Sequence, residues 1–172
     1  MPFLPTPIAD LVVFEPRVFH DDRGYFYESY NEQTFQAGGV MNHFVQDNHA
    51  ASTAGVLRGL HFQTGDSAQA KLVRCIEGGV FDVAVDLRPG SPTLHQWYGI
   101  ELTAENHRQL FVSRGFAHGY LVLTETAIFS YKCDNFYDKS AEGGLRFDDP
   151  KIGIKWPSMP SKYSVNERDL NW

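Results

Sequence analysis

The stretch Val80-Phe-Asp-Val-Ala-Val-Asp-Leu87 constrains this chain more than any other segment. It alternates: Phe81, Val83, Val85 and Leu87 share one face of an extended strand, and Asp82, Ala84 and Asp86 share the other. Arg88-Pro-Gly-Ser-Pro92 ends it as a turn. Comparable short runs recur at Leu11–Phe14, in the aromatic-rich segment 24–30, and at 97–102, 109–112, 117–123 and 128–133. Fifteen glycines and nine prolines are scattered between such runs as turn formers. One helix signal stands out: Asn31 is placed to cap a short helix running through Phe35, with Gly38-Gly39 to stop it. Many short strands with little helix predict an all-β chain, an antiparallel sandwich or barrel.

At 172 residues and 42% hydrophobic content the chain suits one domain with a sizeable core, spanning residues 1–172. A formal charge of -6 argues against a broad basic surface for nucleic acid. It leaves room for an anionic substrate where basic side chains converge. Cys75 and Cys133 lie far apart in strand-like runs and read as buried free thiols rather than a disulfide, as in a reducing cytoplasm. The N-terminal run has no basic start and carries Pro2, Pro5 and Pro7, so it reads neither as a signal peptide nor as a membrane span.

Chemistry-bearing residues gather in four segments: Gly55-Val-Leu-Arg-Gly-Leu-His61-Phe-Gln63, Lys71-Leu-Val-Arg74, Arg114-Gly-Phe-Ala-His118-Gly-Tyr120 and Ser130-Tyr131-Lys-Cys133. Taken singly, each has a plain reading. His61 between Leu60 and Phe62 reads as a hydrogen-bonded core histidine, Lys71 as a solvated edge lysine, Tyr131 as a half-buried strand aromatic and Asp169 as an exposed charge. Taken in order, RGLHFQ, KLVR, VFDVAVDLRPGSPT, GFAHGY, YKC and EGGLRFDDP followed by IKWP resemble the dTDP-4-dehydrorhamnose 3,5-epimerase family from about residue 14 to 169.

That resemblance implies a cupin jelly roll, a double-stranded antiparallel β-helix with a few short helices, assembled as a homodimer. It implies a dTDP-4-keto-6-deoxy sugar as substrate and proton transfer as the chemistry. His61 matches the family's general base, Asp169 in Ser164-Val-Asn-Glu-Arg-Asp169 its carboxylate partner, Lys71 the cation beside the C4 oxygen, and Tyr131 the proton donor. The reaction suits such groups, because a ketone at C4 acidifies the protons on C3 and C5, and imidazole is matched to abstraction near neutral pH. Arg23, Arg58 and Arg168 match diphosphate-binding residues. Phe26 and Tyr137 match aromatics that stack on thymine, Glu28 an acceptor for its N3–H, and Gln46, Asn48 and His118 polar residues of the site. In the family the segment holding Arg23 and Glu28 reaches into the neighbouring subunit's site.

Many cupins bind a metal through His-x-His and a later histidine. Here the first pair reads His61-Phe-Gln63, so one imidazole is missing, and neither a metal nor any other cofactor is expected. Asp82, on the polar-leaning face of its strand, is a candidate partner for His118. Two departures from the family pattern stand out: Ser113-Arg114 replaces the usual proline before Gly-Phe-Ala-His, and only Leu170-Asn-Trp172 follow Asp169 to cover it. Single-centre epimerases and 3,4-ketoisomerases on related dTDP-sugars are the alternative enzymes. A non-catalytic sugar-binding jelly roll would need no donor and acceptor pair.

Overall fold

The computed structural model describes residues 2–172. It begins with β1 (Phe3–Pro5), β2 (Leu11–Phe14), β3 (Phe19–Asp21), β4 (Gly24–Phe26) and the helix α1 (Glu32–Ala37). There follow β5 (Gln46–Thr53), β6 (Val56–Gln63), β7 (Lys71–Glu77), β8 (Gly79–Asp86), β9 (Trp97–Thr103), β10 (Gln109–Val112), β11 (Phe116–Val122) and β12 (Thr126–Cys133). The chain closes with β13 (Glu142–Gly144), β14 (Ser164–Val165) and the one-turn helix α2 (Glu167–Leu170). One sheet has the order β1-β2-β10-β7-β12-β5 and the other β13-β6-β11-β8-β9, every pair among them antiparallel. This is the antiparallel jelly roll that the resemblance implied. No helix among the described residues is long and apolar enough to cross a membrane.

Strand β8 shows how the interior is divided. Both of its faces are buried, and they do different work. Val83 and Val85 point out of the sandwich and pack with Leu60 and Ala117 under Leu145, Ile152, Ile154 and Trp156. Val80 and Ala84 point between the sheets, into a core with Val73, Leu110, Val122 and Phe129. The more apolar face of the alternation is therefore covered by the C-terminal segment, and the aspartate-bearing face looks into the sandwich. Asp82 is 0% exposed there.

The helix signal at Asn31 corresponds to α1, which runs two residues past Phe35. The Asn31 side chain accepts from Thr34 N–H at 3.2 Å, and Gly38 ends the helix. Phe35 is fully buried against Phe3 and Phe14, with ring centroids 5.2 and 4.7 Å away. Burying such a ring stabilises by about 1.5–3 kcal/mol, which fastens the N-terminal strands to the sheet that carries Lys71.

The aromatic segment 24–30 is strand only over Gly24–Phe26. It pairs with β3 alone, so no second ladder extends it. The substitution Ser113-Arg114 has a local use: Arg114 pairs with Asp134 at 2.9 Å, and Asp134 accepts the Ala70 N–H at 2.6 Å. That contact braces the start of β7, next to Lys71. Cys75 and Cys133 are both free and buried.

Candidate active site

Between the sheets, the apolar core gives way at one end to polar side chains. Two cavity lobes of about 240 and 230 Å³ open there, and both are bounded by His61, Lys71, Tyr131 and Glu142. The first lobe adds Gln46, Asn48, Gln63, Gln69 and Tyr137. The second adds Arg58, His118, Tyr120 and Arg168. His61 comes from β6 in one sheet, and Tyr131 and Lys71 come from β12 and β7 in the other, so the groups face each other across the cavity. Lys71 Nζ lies 5.8 Å from the centre of the Tyr131 ring.

Local backbone geometry explains how Asp169 reaches His61. Strand β6 has split edge partners: β13 pairs with His61 to Gln63, and β14 pairs in parallel with Val56 and Leu57. In the gap the Gly59 N–H would be left unpaired, and it donates to Asp169 Oδ2 at 3.0 Å. Gly59 has φ +128, and a Cβ there would sit 2.6 Å from the Gly119 Cα, so only glycine permits this approach of β6 to β11. The other carboxylate oxygen lies 2.7 Å from His61 Nε2. Asn166 caps α2 by accepting the Asp169 N–H at 2.7 Å, which orients the turn. Asp169 is 0% exposed, not the surface charge that spacing alone suggested.

These contacts set the protonation states. Burial pushes the His61 imidazole below its ordinary value, the neighbouring Lys71 and Arg168 charges push the same way, and Asp169 opposes them. The ring is therefore neutral near pH 7, with Nε2–H given to Asp169 and Nδ1 left as the basic nitrogen. Burial also pushes the Asp169 carboxyl up, but the Gly59 N–H, His61 and Arg168 outweigh it and hold the group below the usual carboxylate range. Burial lowers Lys71, which makes its ammonium a readier donor to a developing oxyanion. Burial pushes the Tyr131 phenol up to about 12, so it stays protonated.

His118 lies opposite His61 in the β6–β11 register and bonds Asp82 at 2.9 Å. Arg58 reaches Ser52 at 3.1 Å, and Arg168 pairs with Glu142 at 3.0 Å. The Tyr137 hydroxyl donates to Glu142 at 3.2 Å, and its N–H donates to the Gln46 side chain at 3.2 Å. Among the described residues no three His, Cys, Asp or Glu side chains gather as metal ligands. Arg23, Phe26 and Glu28 line neither lobe. Arg23 is tied to Asp21 of its own hairpin, and Glu28 accepts from Asn31.

The dTDP-4-dehydrorhamnose 3,5-epimerase family model matches residues 5–172. The chain belongs to that family. A dTDP-4-dehydrorhamnose 3,5-epimerase of Salmonella typhimurium is 56% identical over 88% of this chain and 84% of its own length. The crystal structure of the enzyme named so from Elizabethkingia anophelis has a TM-score of 0.94 at 55% identity, covering 98% of this chain and 93% of that one. A Legionella pneumophila dTDP-6-deoxy-D-glucose-3,5-epimerase in complex with dTDP-4-keto-L-rhamnose gives a TM-score of 0.95 at 42% identity, covering 98% and 89%.

Within this epimerase the structure adds side chains that motif reading passed over. Glu142 joins Arg168 and Tyr137 at the rim where the lobes meet. It stands in the quoted Glu-Gly-Gly segment, but only the fold shows that β13 runs beside His61. Gln63 and Gln69 line the first lobe, and Gln63 also holds the Asp138 backbone at 2.7 and 2.9 Å.

Proposed function

We propose that His61 is the base and Tyr131 the acid of a 3,5-epimerisation that converts dTDP-4-dehydro-6-deoxy-D-glucose into dTDP-4-dehydro-L-rhamnose. One observation carries this reading: a neutral imidazole and a protonated phenol come from opposite sheets to the same cavity. Inversion needs that arrangement, because the proton must leave one face of a carbon and return to the other. Nδ1 of His61 takes the proton from C3 or C5, and the C–H electrons move into an enolate whose charge rests on the C4 oxygen. Lys71 donates to that oxygen, worth about 3–4 kcal/mol by comparison with oxyanion-hole donors. Tyr131 then gives its proton to the carbon from the far side, and the phenolate and imidazolium return to their starting states through solvent. No step in this scheme requires a metal. Arg58 and Arg168 bind the diphosphate, His118 orients the sugar, and Gln46, Asn48 and Tyr137 hold the thymidine end.

The homodimer completes the site in this reading. The β3–β4 hairpin leaves the cross-strand partners Phe19 and Phe26 exposed side by side. Arg23, whose side chain is 90% exposed, and Glu28 project from the same region. In the partner's site Arg23 would add a guanidinium for the diphosphate and Phe26 a ring for thymine. The free buried thiols of Cys75 and Cys133 fit a reducing cytoplasm.

Proton NMR of the 4-keto sugar nucleotide incubated with the enzyme in D₂O tests the reaction directly. Deuterium is expected at both C3 and C5. Exchange at one centre alone would make this chain a single-centre epimerase, and exchange at neither would remove the base. Sedimentation tests the assembly: a fully active species of the 19.5 kDa chain mass would refute the shared site.

A further inference from the structure

We infer that Trp172 is a positioning residue whose indole shields the His61–Asp169 pair from solvent. This inference rests on the reading of His61 as the base. The ring lies flat on β13, where a Cβ at Gly144 would come within 2.2–2.4 Å of its Cε2, Cδ2 and Nε1 atoms. A bare backbone at position 144 and a large ring at position 172 are thus complementary. On its inner side the ring stands edge-on to His61, with centroids 6.4 Å apart, and lies 6.0 Å from the Arg168 guanidinium carbon. On its outer side it borders a solvent groove of about 540 Å³ with Arg146, Asp148 and Lys151. Trp172 is therefore the wall between that groove and the catalytic cluster.

The wall has a chemical consequence. Desolvation is the largest cause holding the His61 imidazole low, and the indole covers the side of the ring that faces the groove, opposite the open edge at the cavity. The charged and titratable groups around His61 are Asp169 and Arg168 on α2, Lys71 on β7, Glu142 on β13, Tyr131 on β12, His118 on β11 and Arg58 on its own strand. Removing the indole lets water in, which raises the His61 pKa, while Arg168 stays tied to Glu142 at 3.0 Å. Loosening Asp169 would lower the pKa, but its carboxylate is held by the Gly59 N–H and its backbone by the Asn166 cap. The indole Nε1–H is buried without a partner, so the ring acts by packing and not by a hydrogen bond.

The test is an NMR titration of the His61 ring together with kcat/KM against pH, in the dimeric enzyme and in Trp172→Ala and Trp172→Phe. In Trp172→Ala the His61 pKa should rise by at least about half a unit, and the acid limb of kcat/KM should move to higher pH with it, a loss of about threefold on that limb. Trp172→Phe keeps an aromatic wall and loses only the unbonded N–H, so it should stay near the wild-type profile. Gly144→Ala, which displaces the ring, should reproduce the shift in wild type and add nothing in a Trp172→Ala background. An unmoved His61 titration in folded Trp172→Ala and Gly144→Ala would overturn the inference. A titration that moves without the acid limb of kcat/KM following would uphold the shielding and discard His61 as the base.

Discussion

The cavity holds two histidine–aspartate pairs that are cross-strand neighbours, and they are not equivalent. His61 and His118 face each other in the β6–β11 register, and each gives Nε2 to a carboxylate that is 0% exposed. Asp82 reaches His118 from β8, the adjoining strand of the same sheet, whereas Asp169 reaches His61 from a capped turn that crosses the sheet edge. The His118 side chain is 7% exposed and stacks on Phe129, while that of His61 is 25% exposed and meets both lobes. Lys71 and Arg168 bear on His61 and add to the desolvation that keeps it neutral. In the proposed mechanism the same pair of residue types serves as a base where the ring has an open edge and cationic neighbours, and as an orienting group where it is sunk in the sheet. What differs is the surroundings, not the hydrogen bond.

The comparison breaks most sharply under substitution of the two rings. His61→Asn should lower kcat by about 10³–10⁴-fold, abolish deuterium wash-in at C3 and C5, and leave dTDP binding by calorimetry nearly unchanged. His118→Asn should cost far less in kcat and should weaken sugar binding. Equal losses in the two variants would mean that the burial difference does not separate their roles.

Asp169→Asn should cost about 10²–10³-fold, because the amide can present its NH₂ to Nε2 and stabilise the wrong tautomer. The pH profile sharpens this. Asp169 is the influence that raises the His61 pKa, so its loss leaves burial, Lys71 and Arg168 unopposed. A base works only when neutral, so the acid limb of kcat/KM should move to lower pH. An upward or absent shift would show that Asp169 does not act on the ring.

How much of this was legible in the sequence depended on what each residue packs against. The alternation at 80–87 announced a strand, but both faces are buried, and periodicity could not tell which face the C-terminal segment would cover. Strand β5, Gln-Asp-Asn-His-Ala-Ala-Ser-Thr, gave no apolar signal because its inward side chains, Gln46 and Asn48, line the cavity instead of a core. Asp169 read as a surface charge because its burial comes from a gap in the pairing of β6, more than a hundred residues earlier in the chain. His61 and Tyr131 were reachable only through the resemblance. Glu142 and Trp172 reach the site through contacts between segments that no local pattern encodes.

Tyr131→Phe decides which side of the cavity supplies the second proton. His118 lies on β11, beside β6, so it belongs to the same sheet as His61. A proton from His118 would approach from the side of the base and could not invert the centre. Tyr131 lies on the facing sheet, and its phenol, raised to about 12 by burial, remains protonated across the neutral range. Deleting the hydroxyl keeps the ring and its packing on Phe129. Enolate formation by His61 should survive, since the imidazolium can return a proton to the face it came from. Solvent exchange should therefore persist while net inversion falls by at least about 10²-fold. Two assays on one sample, deuterium incorporation and product formation, measure the gap. If inversion is unimpaired, the acid lies elsewhere. If exchange and inversion fall together, the phenol is needed before the proton is removed, and the assignment of separate faces to the two sheets fails.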